Sequence, residues 1–231
     1  MILAAGLGTR MRPLTDHCPK PLLKVAGKPL IVHHIEQLVA KGIQDIVINH
    51  AYLGHMIEAE LGNGQQFGCH IQYSAESQAL ETGGGILQAL PLLTDKEVPE
   101  QAFLLVNGDV WLDWERIDIP AEVSGLCHLW LVENPEHNPV GDFVLADDQR
   151  VFDKTALDGK HQAALTFSGI SLIKAALFDG TTEGAFPLAP LLRQAMATNN
   201  ASGELYNGRW VDVGTPERLQ QVENLLLVTD K

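Results

Sequence analysis

Residues 1–13, MILAAGLGTRMRP, pass from a short apolar run into two glycines and a cationic turn. An apolar start of this length reads as a strand, and glycines directly after a strand let the backbone approach a ligand and present its N–H groups to it. Phosphate is the natural cargo of such a loop. A dinucleotide fingerprint would need a glycine at position 11, where Met11 stands. It would also need an acidic residue about 20 positions further on, and residues 23–29 offer none. A Walker loop would end in Gly-Lys-Ser/Thr, whereas Gly8 is followed by Thr9 and Arg10. What remains is a loop carrying its own cations, Arg10 and Arg12, followed by Lys20 between Pro19 and Pro21. The two prolines restrict the backbone on both sides and aim the ammonium.

Outward from this loop, β-type runs alternate with helical patterns: strands at 1–5, 46–49 and 71–74, helices at 29–41 and 54–61, a third helix at 84–90 stopped by Pro91, then the wholly apolar run 102–106. Such alternation predicts βαβ units in a mostly parallel sheet, with 102–106 as a central strand covered on both faces. After residue 120 the strands expected at 126–132, 142–146 and 165–173 are joined by polar loops, so the sheet should become mixed. Helices are expected at 188–196 and 217–228. The fold class is therefore α/β, a Rossmann-like mixed and mostly parallel sheet flanked by helices. No repeat or linker divides residues 1–231, which read as a single domain.

Composition narrows the function. The 29 acidic residues exceed the 16 basic ones to give a net charge of −13, a sign that repels a nucleic-acid backbone, so any anion must be held locally. No apolar run reaches the ~18 residues needed to cross a bilayer, and no secretory leader is visible. A soluble, cytoplasmic protein without membrane partners is expected. Cys18, Cys69 and Cys127 are odd in number and scattered, which suits a reducing compartment. Nine histidines form no HExxH pattern and are expected to be solvated or partly packed. The four tryptophans are expected in the core or at its rim. Ser168 has Thr166 where a nucleophile elbow needs glycine.

Two aspartates follow β-type runs, Asp109 in VNGD (106–109) and Asp212 in WVDVGT (210–215). Taken singly, each is more often a turn former or helix cap. Taken together, they suit Mg²⁺, which is commonly held by one or two carboxylates plus substrate phosphates and water. Residues 81–85, ETGGG, fit an ordinary helix start, or a place where a flat base or an anion approaches closely.

LAAGLGTRMRPLT (3–15) followed by PKPLLKVAGKPLI (19–31) resembles the opening signature of the sugar-1-phosphate nucleotidyltransferases. The resemblance implies that Gly8, Thr9 and Arg10 hold the triphosphate, with Lys20 gripping phosphates at the reacting centre. It implies main-chain contacts to base and ribose from Leu3, Ala4 and Gly6, and base contacts from Glu76, Thr82 and Gly83. Asp109 and Asp212 become the Mg²⁺ ligands. ETGGGI (81–86), VNGDVW (106–111), NPEHNPVGDF (134–143), LTFSGISL (165–172) and LAPLLRQAM (188–196) extend the likeness to one branch, the N-acetylmuramate-1-phosphate uridylyltransferases of cell-wall recycling. The partners implied are UTP and a sugar 1-phosphate, N-acetylmuramate 1-phosphate foremost, in a monomer or small homo-oligomer. Asn107, Asp142, Lys154 and Gly169 would then form the sugar-phosphate side, although Asp153-Lys154-Thr155 departs from the Glu-Lys-Pro of other branches. Other sugar-phosphate and nucleotide pairs, or a non-catalytic nucleotide-binding subunit, are the competing expectations.

Overall fold

A computed structural model of the chain describes residues 1–95, 98, 100–155 and 163–229. Its strands are β1 Ile2–Leu3, β2 Lys24–Val25, β3 Lys28–Pro29, β4 Asp45–His50, β5 His70–Ala75, β6 Ala102–Asn107, β7 Val110–Leu112, β8 Cys127–Val132, β9 Phe143–Leu145, β10 Val151–Asp153, β11 Thr166–Lys174, β12 Ala201–Leu205 and β13 Trp210–Asp212. The α-helices are α1 Leu30–Ala40, α2 Gly54–Leu61, α3 Glu81–Leu93, α4 Ala189–Ala197 and α5 Pro216–Thr229.

Seven strands form the main sheet in the order β12-β8-β11-β6-β1-β4-β5. β5, β4, β1 and β6 run parallel, and β12 is parallel to β8, while β11 runs antiparallel to both of its neighbours, β6 and β8. The sheet is thus mixed and mostly parallel, as expected. The central run alternates cleanly between two apolar layers. Leu104 and Val106 join Ile2, Ile35 and Ile48 on one face, and Leu105 joins Val47, Ile86 and Leu192 on the other.

Several boundaries differ from the sequence reading for local reasons. The first strand stops at Leu3 because the Ala4 N–H is donated to the Asn49 side chain at 2.9 Å instead of to the ladder. Helix α3 begins at Glu81 and continues through Pro91, which removes one backbone donor without ending the helix; the Thr94 N–H still returns to Leu90 O at 3.1 Å. The edge strand β12 and the pairing of β7 with β13 go beyond the sequence reading, which has only a β-type run ending near Asp212, because neither shows a strong apolar alternation. His34 is fully buried on α1, and burial pulls its pKa down to about 4, so this imidazole is a neutral core group.

Three features position the functional end. The carboxyl ends of β1, β4 and β6 are level, with Leu3 opposite both Asn49 and Asn107. Ligands of open α/β sheets sit at such ends. The ladder of β11 breaks between Phe167 and Ser171, and this irregularity turns Gly169, at φ +83°, against the Asn107 side chain. A third apolar cluster of Val25, Leu30, Trp111, Val211, Val213 and Val222 fastens the ribbon to α5.

Candidate active site

Two cavities open at these strand ends. The first, about 280 Å³, is bounded by the glycine loop from Leu3 to Leu7, by Lys20, Glu76 and Thr82, and by Asn107–Asp109. Its floor is a chain of hydrogen bonds. Ala4 N–H donates to Asn49 Oδ1, Asn49 Nδ2 donates to Glu76 Oε1 at 2.7 Å, and Leu80 N–H donates to Glu76 Oε2 at 3.0 Å. Both Glu76 oxygens therefore have protein partners, and Glu76 is buried. Gly85 is what lets it in, since a Cβ there would lie 2.5 Å from Glu76 Oε1. Thr82 faces the cavity, whereas Gly83 donates its N–H to Phe186 O at 2.9 Å and stands outside the lining.

The second cavity, about 270 Å³, shares Asn107 and Asp109 with the first and adds Arg10, His137, Asn138, Thr166, Gly169 and Asp212. The ribbon brings its two aspartates together: Asp212 pairs with Val110, and Val213 N–H donates to Asp109 O at 2.8 Å. Lys20 Nζ lies 2.8 Å from Asp109 Oδ2, and Lys20 is only 8% exposed. Gly8, at φ +63°, packs against the same lysine: its built Cβ would sit 3.2 Å from Lys20 Cβ. The loop and the lysine are thus one unit. Asp212 Oδ2 accepts from Arg218 Nη1 at 2.7 Å and lies 3.2 Å from His137 Nε2. Arg10 is exposed on the cavity wall.

Other expected residues fall behind or beside these walls. Gly6 lines the first cavity, while Gly8 and Thr9 belong to the turn that carries Arg10. Asp142 lies outside both linings; its carboxylate accepts from Asn138 Nδ2 at 3.2 Å and from Phe167 N–H at 2.9 Å, which orients Asn138 toward the second cavity. Lys154 also lies outside them, bonded to the Gly141 carbonyl. Sequence reasoning missed Asn49, His137 and Arg218. Arg218 carried a signal, since a cation in the first turn of a helix has the unfavourable sign for the helix dipole.

A two-carboxylate, oxygen-only donor set is the chemistry Mg²⁺ takes when substrate phosphates complete its shell. Among the described residues no group of three or more His, Cys, Asp and Glu is arranged to hold a metal without such help.

Residues 1–119 match the family model described as Nucleotidyl transferase. The chain is 49% identical to the N-acetylmuramate alpha-1-phosphate uridylyltransferase of Neisseria meningitidis, over 97% of this chain and 96% of that protein. The chain belongs to the nucleotidyl transferase family. This transferase is also 36% identical to the protein of the same name from Caulobacter vibrioides, over 94% of this chain and 92% of that one. Among solved structures it resembles HddC from Yersinia pseudotuberculosis with a TM-score of 0.75 across 97% of both chains, at 21% identity. The architecture is that of the nucleotide-diphospho-sugar transferases.

Proposed function

We propose that the chain, acting as one catalytic domain over residues 1–231, transfers the uridylyl group of UTP to N-acetylmuramate 1-phosphate and releases pyrophosphate. The observation that carries this is the pair of residues shared by the two cavities, Asn107 and Asp109, with the Lys20 ammonium bonded to Asp109. A nucleotide in the first cavity and a sugar phosphate in the second would meet there. The full-length likeness to two uridylyltransferases of that name supports the choice of acceptor.

The acceptor phosphate is anionic at neutral pH, so its oxygen attacks the α-phosphorus of UTP in line without a general base, and the bond to the β-phosphate breaks. What the chain must supply is position and charge neutralisation. Arg10 and Lys20 present cations to the triphosphate. Glu76, fixed from both oxygens, holds Asn49 and the Leu80 amide in place at the back of the nucleotide cavity. Asp109 and Asp212 would hold Mg²⁺, which supplies charge neutralisation and a template for the phosphates when bound. Among the described residues Arg10 makes no ion pair, and it stays available for phosphate. The free thiols Cys18, Cys69 and Cys127 suit work in the cytoplasm.

Pyrophosphate release across a matrix of nucleoside triphosphates and sugar 1-phosphates tests the reading. UTP with N-acetylmuramate 1-phosphate should turn over fastest. If another pair does so while this one is inert, the acceptor assignment is wrong and the reaction class stands.

A further inference from the structure

Both carboxylates of the second cavity already face a cation of the chain: Asp109 meets Lys20, and Asp212 meets Arg218. Arg218 is the third residue of α5. In the first turn of a helix, exposed N–H groups favour acids and disfavour a cation, and such local conflicts tend to mark functional positions. The side chain is only 18% exposed, so it is held and not merely solvated. Gly214 makes room for it: a Cβ there would lie 2.5 Å from Arg218 Nη2 and 3.2 Å from Arg10 Nη1. The guanidinium groups of Arg10, on the cavity wall, and Arg218, beside Asp212 but outside that lining, thus converge on Gly214. His137 Nε2 lies 3.0 Å from Arg218 Nη1. Three cationic side chains, Arg10, Lys20 and Arg218, stand against two carboxylates, which leaves one positive charge for an anion in a chain of net charge −13.

A divalent cation on Asp212 and the Arg218 guanidinium compete for one carboxylate, because like charges a few ångströms apart repel strongly where water is scarce. Asp212 Oδ1 has no protein partner among the described residues, yet Oδ2 is taken. We propose that Arg218 is a further acceptor-binding residue: it neutralises Asp212 until a divalent cation takes that carboxylate, and its guanidinium then turns to the phosphate of the acceptor. A planar fork of donors suits that anion. The proposal rests on the functional reading for the acceptor, but not for the competition with metal.

The test compares wild type, Arg218→Gln and Arg218→Lys. Mn²⁺ binding to the uncomplexed proteins, followed by electron paramagnetic resonance, should tighten by at least ~5-fold in Arg218→Gln as the competing charge is removed. In steady-state kinetics the same variant should show an acceptor KM raised by at least ~10-fold, with the KM for UTP within ~2-fold of wild type, since only the acceptor loses a charge-assisted bond. Arg218→Lys keeps the charge and loses the fork, so Mn²⁺ affinity should stay near wild type while the acceptor KM still rises; it carries the test if Arg218→Gln does not fold. Mn²⁺ affinity that is unchanged or weaker in Arg218→Gln overturns the proposal, and so does an acceptor KM that does not move in either variant. Mn²⁺ binding needs no turnover, so that arm stands even if the chain uses a different acceptor.

Discussion

The cavity at the ends of β1, β4 and β6 is walled largely by main chain and small residues, whereas the one beyond Asn107 is walled by side chains drawn from distant segments. In the first, each polar group is fixed by the next, from Ala4 through Asn49 and Glu76 to Leu80. In the second, Arg10 comes from the loop, His137 and Asn138 from the connection between β8 and β9, Thr166 and Gly169 from the reversed strand, and Asp212 from the ribbon. A nucleotide presents the same phosphates and base edge every time, and a rigid backbone reads it well. An acceptor read by side chains can change when those side chains change, without disturbing the sheet.

The largest effect should come from the carboxylates on the side-chain wall. Asp109→Ala and Asp212→Ala should each lower turnover by ~10³-fold or more, because a bound metal contributes several kcal/mol of charge stabilisation. The double variant should be scarcely worse than the poorer single one, as residues acting as a unit are non-additive. Raised Mg²⁺ should partly rescue whichever variant lost affinity and not geometry. Penalties that multiply in the double variant would instead give the two aspartates separate duties and divide the cavity into independent halves.

Lys20 tests whether the two cavities truly meet. Lys20→Ala should cost at least ~10²-fold in turnover, comparable to losing a preorganised donor aimed at developing charge. Circular dichroism should stay that of wild type. Near-normal turnover would reduce the Lys20–Asp109 contact to a structural ion pair.

A smaller effect is expected where the reversed strand touches the common wall. An alanine at Gly169 would have to adopt φ +83° and set its Cβ 2.7 Å from Asn107 Nδ2. The left-handed backbone alone should cost ~1–2 kcal/mol in urea unfolding. Displacing Asn107 should raise the KM of both substrates together, by ~10-fold at most for a hydrogen-bonding group. A rise confined to UTP would mean that Asn107 serves only the first cavity.

The contrast between the cavities also explains what the sequence made legible. The nucleotide cavity is written locally: Gly6, Gly8, Arg10 and Lys20 fall within eighteen residues of Leu3, and the constraints on that loop are chiral and steric, so residue type reveals them. The alternation of Phe103, Leu104, Leu105 and Val106 likewise announces a strand covered on both faces. Arg218, His137 and Asn49 are different. Asn49 and His137 matter through partners far along the chain, and a lone histidine or asparagine has no periodicity to betray it; Arg218, whose carboxylate partner Asp212 is six residues away, shows only in its unfavourable place in the first turn of α5. The ribbon β7–β13 is legible only through Asp109 and Asp212, because three-residue strands are too short to show a pattern.

Lys154 gives the smallest expected effect and the sharpest check on where the side-chain wall ends. Family likeness assigns a lysine in this stretch to the sugar phosphate, but its ammonium here bonds the Gly141 carbonyl, and the neighbouring Asp153 is engaged with Arg193 at 2.8 Å. Those contacts tie β10 to the connection that carries His137 and Asn138, and to α4, so the role is to brace the loop. Removing one half-exposed hydrogen bond of this kind typically costs ~0.5–1.5 kcal/mol of stability. Lys154→Met should therefore lower the unfolding midpoint slightly and change the acceptor KM by less than ~3-fold, an effect passed on through Asn138. The Arg218 variants should show the reverse, a large change in acceptor KM with little change in stability. A rise in acceptor KM for Lys154→Met as large as that for Arg218→Gln would mean that Lys154 leaves Gly141 for the phosphate when the acceptor binds, and the second cavity would then extend past Asn138 to β10.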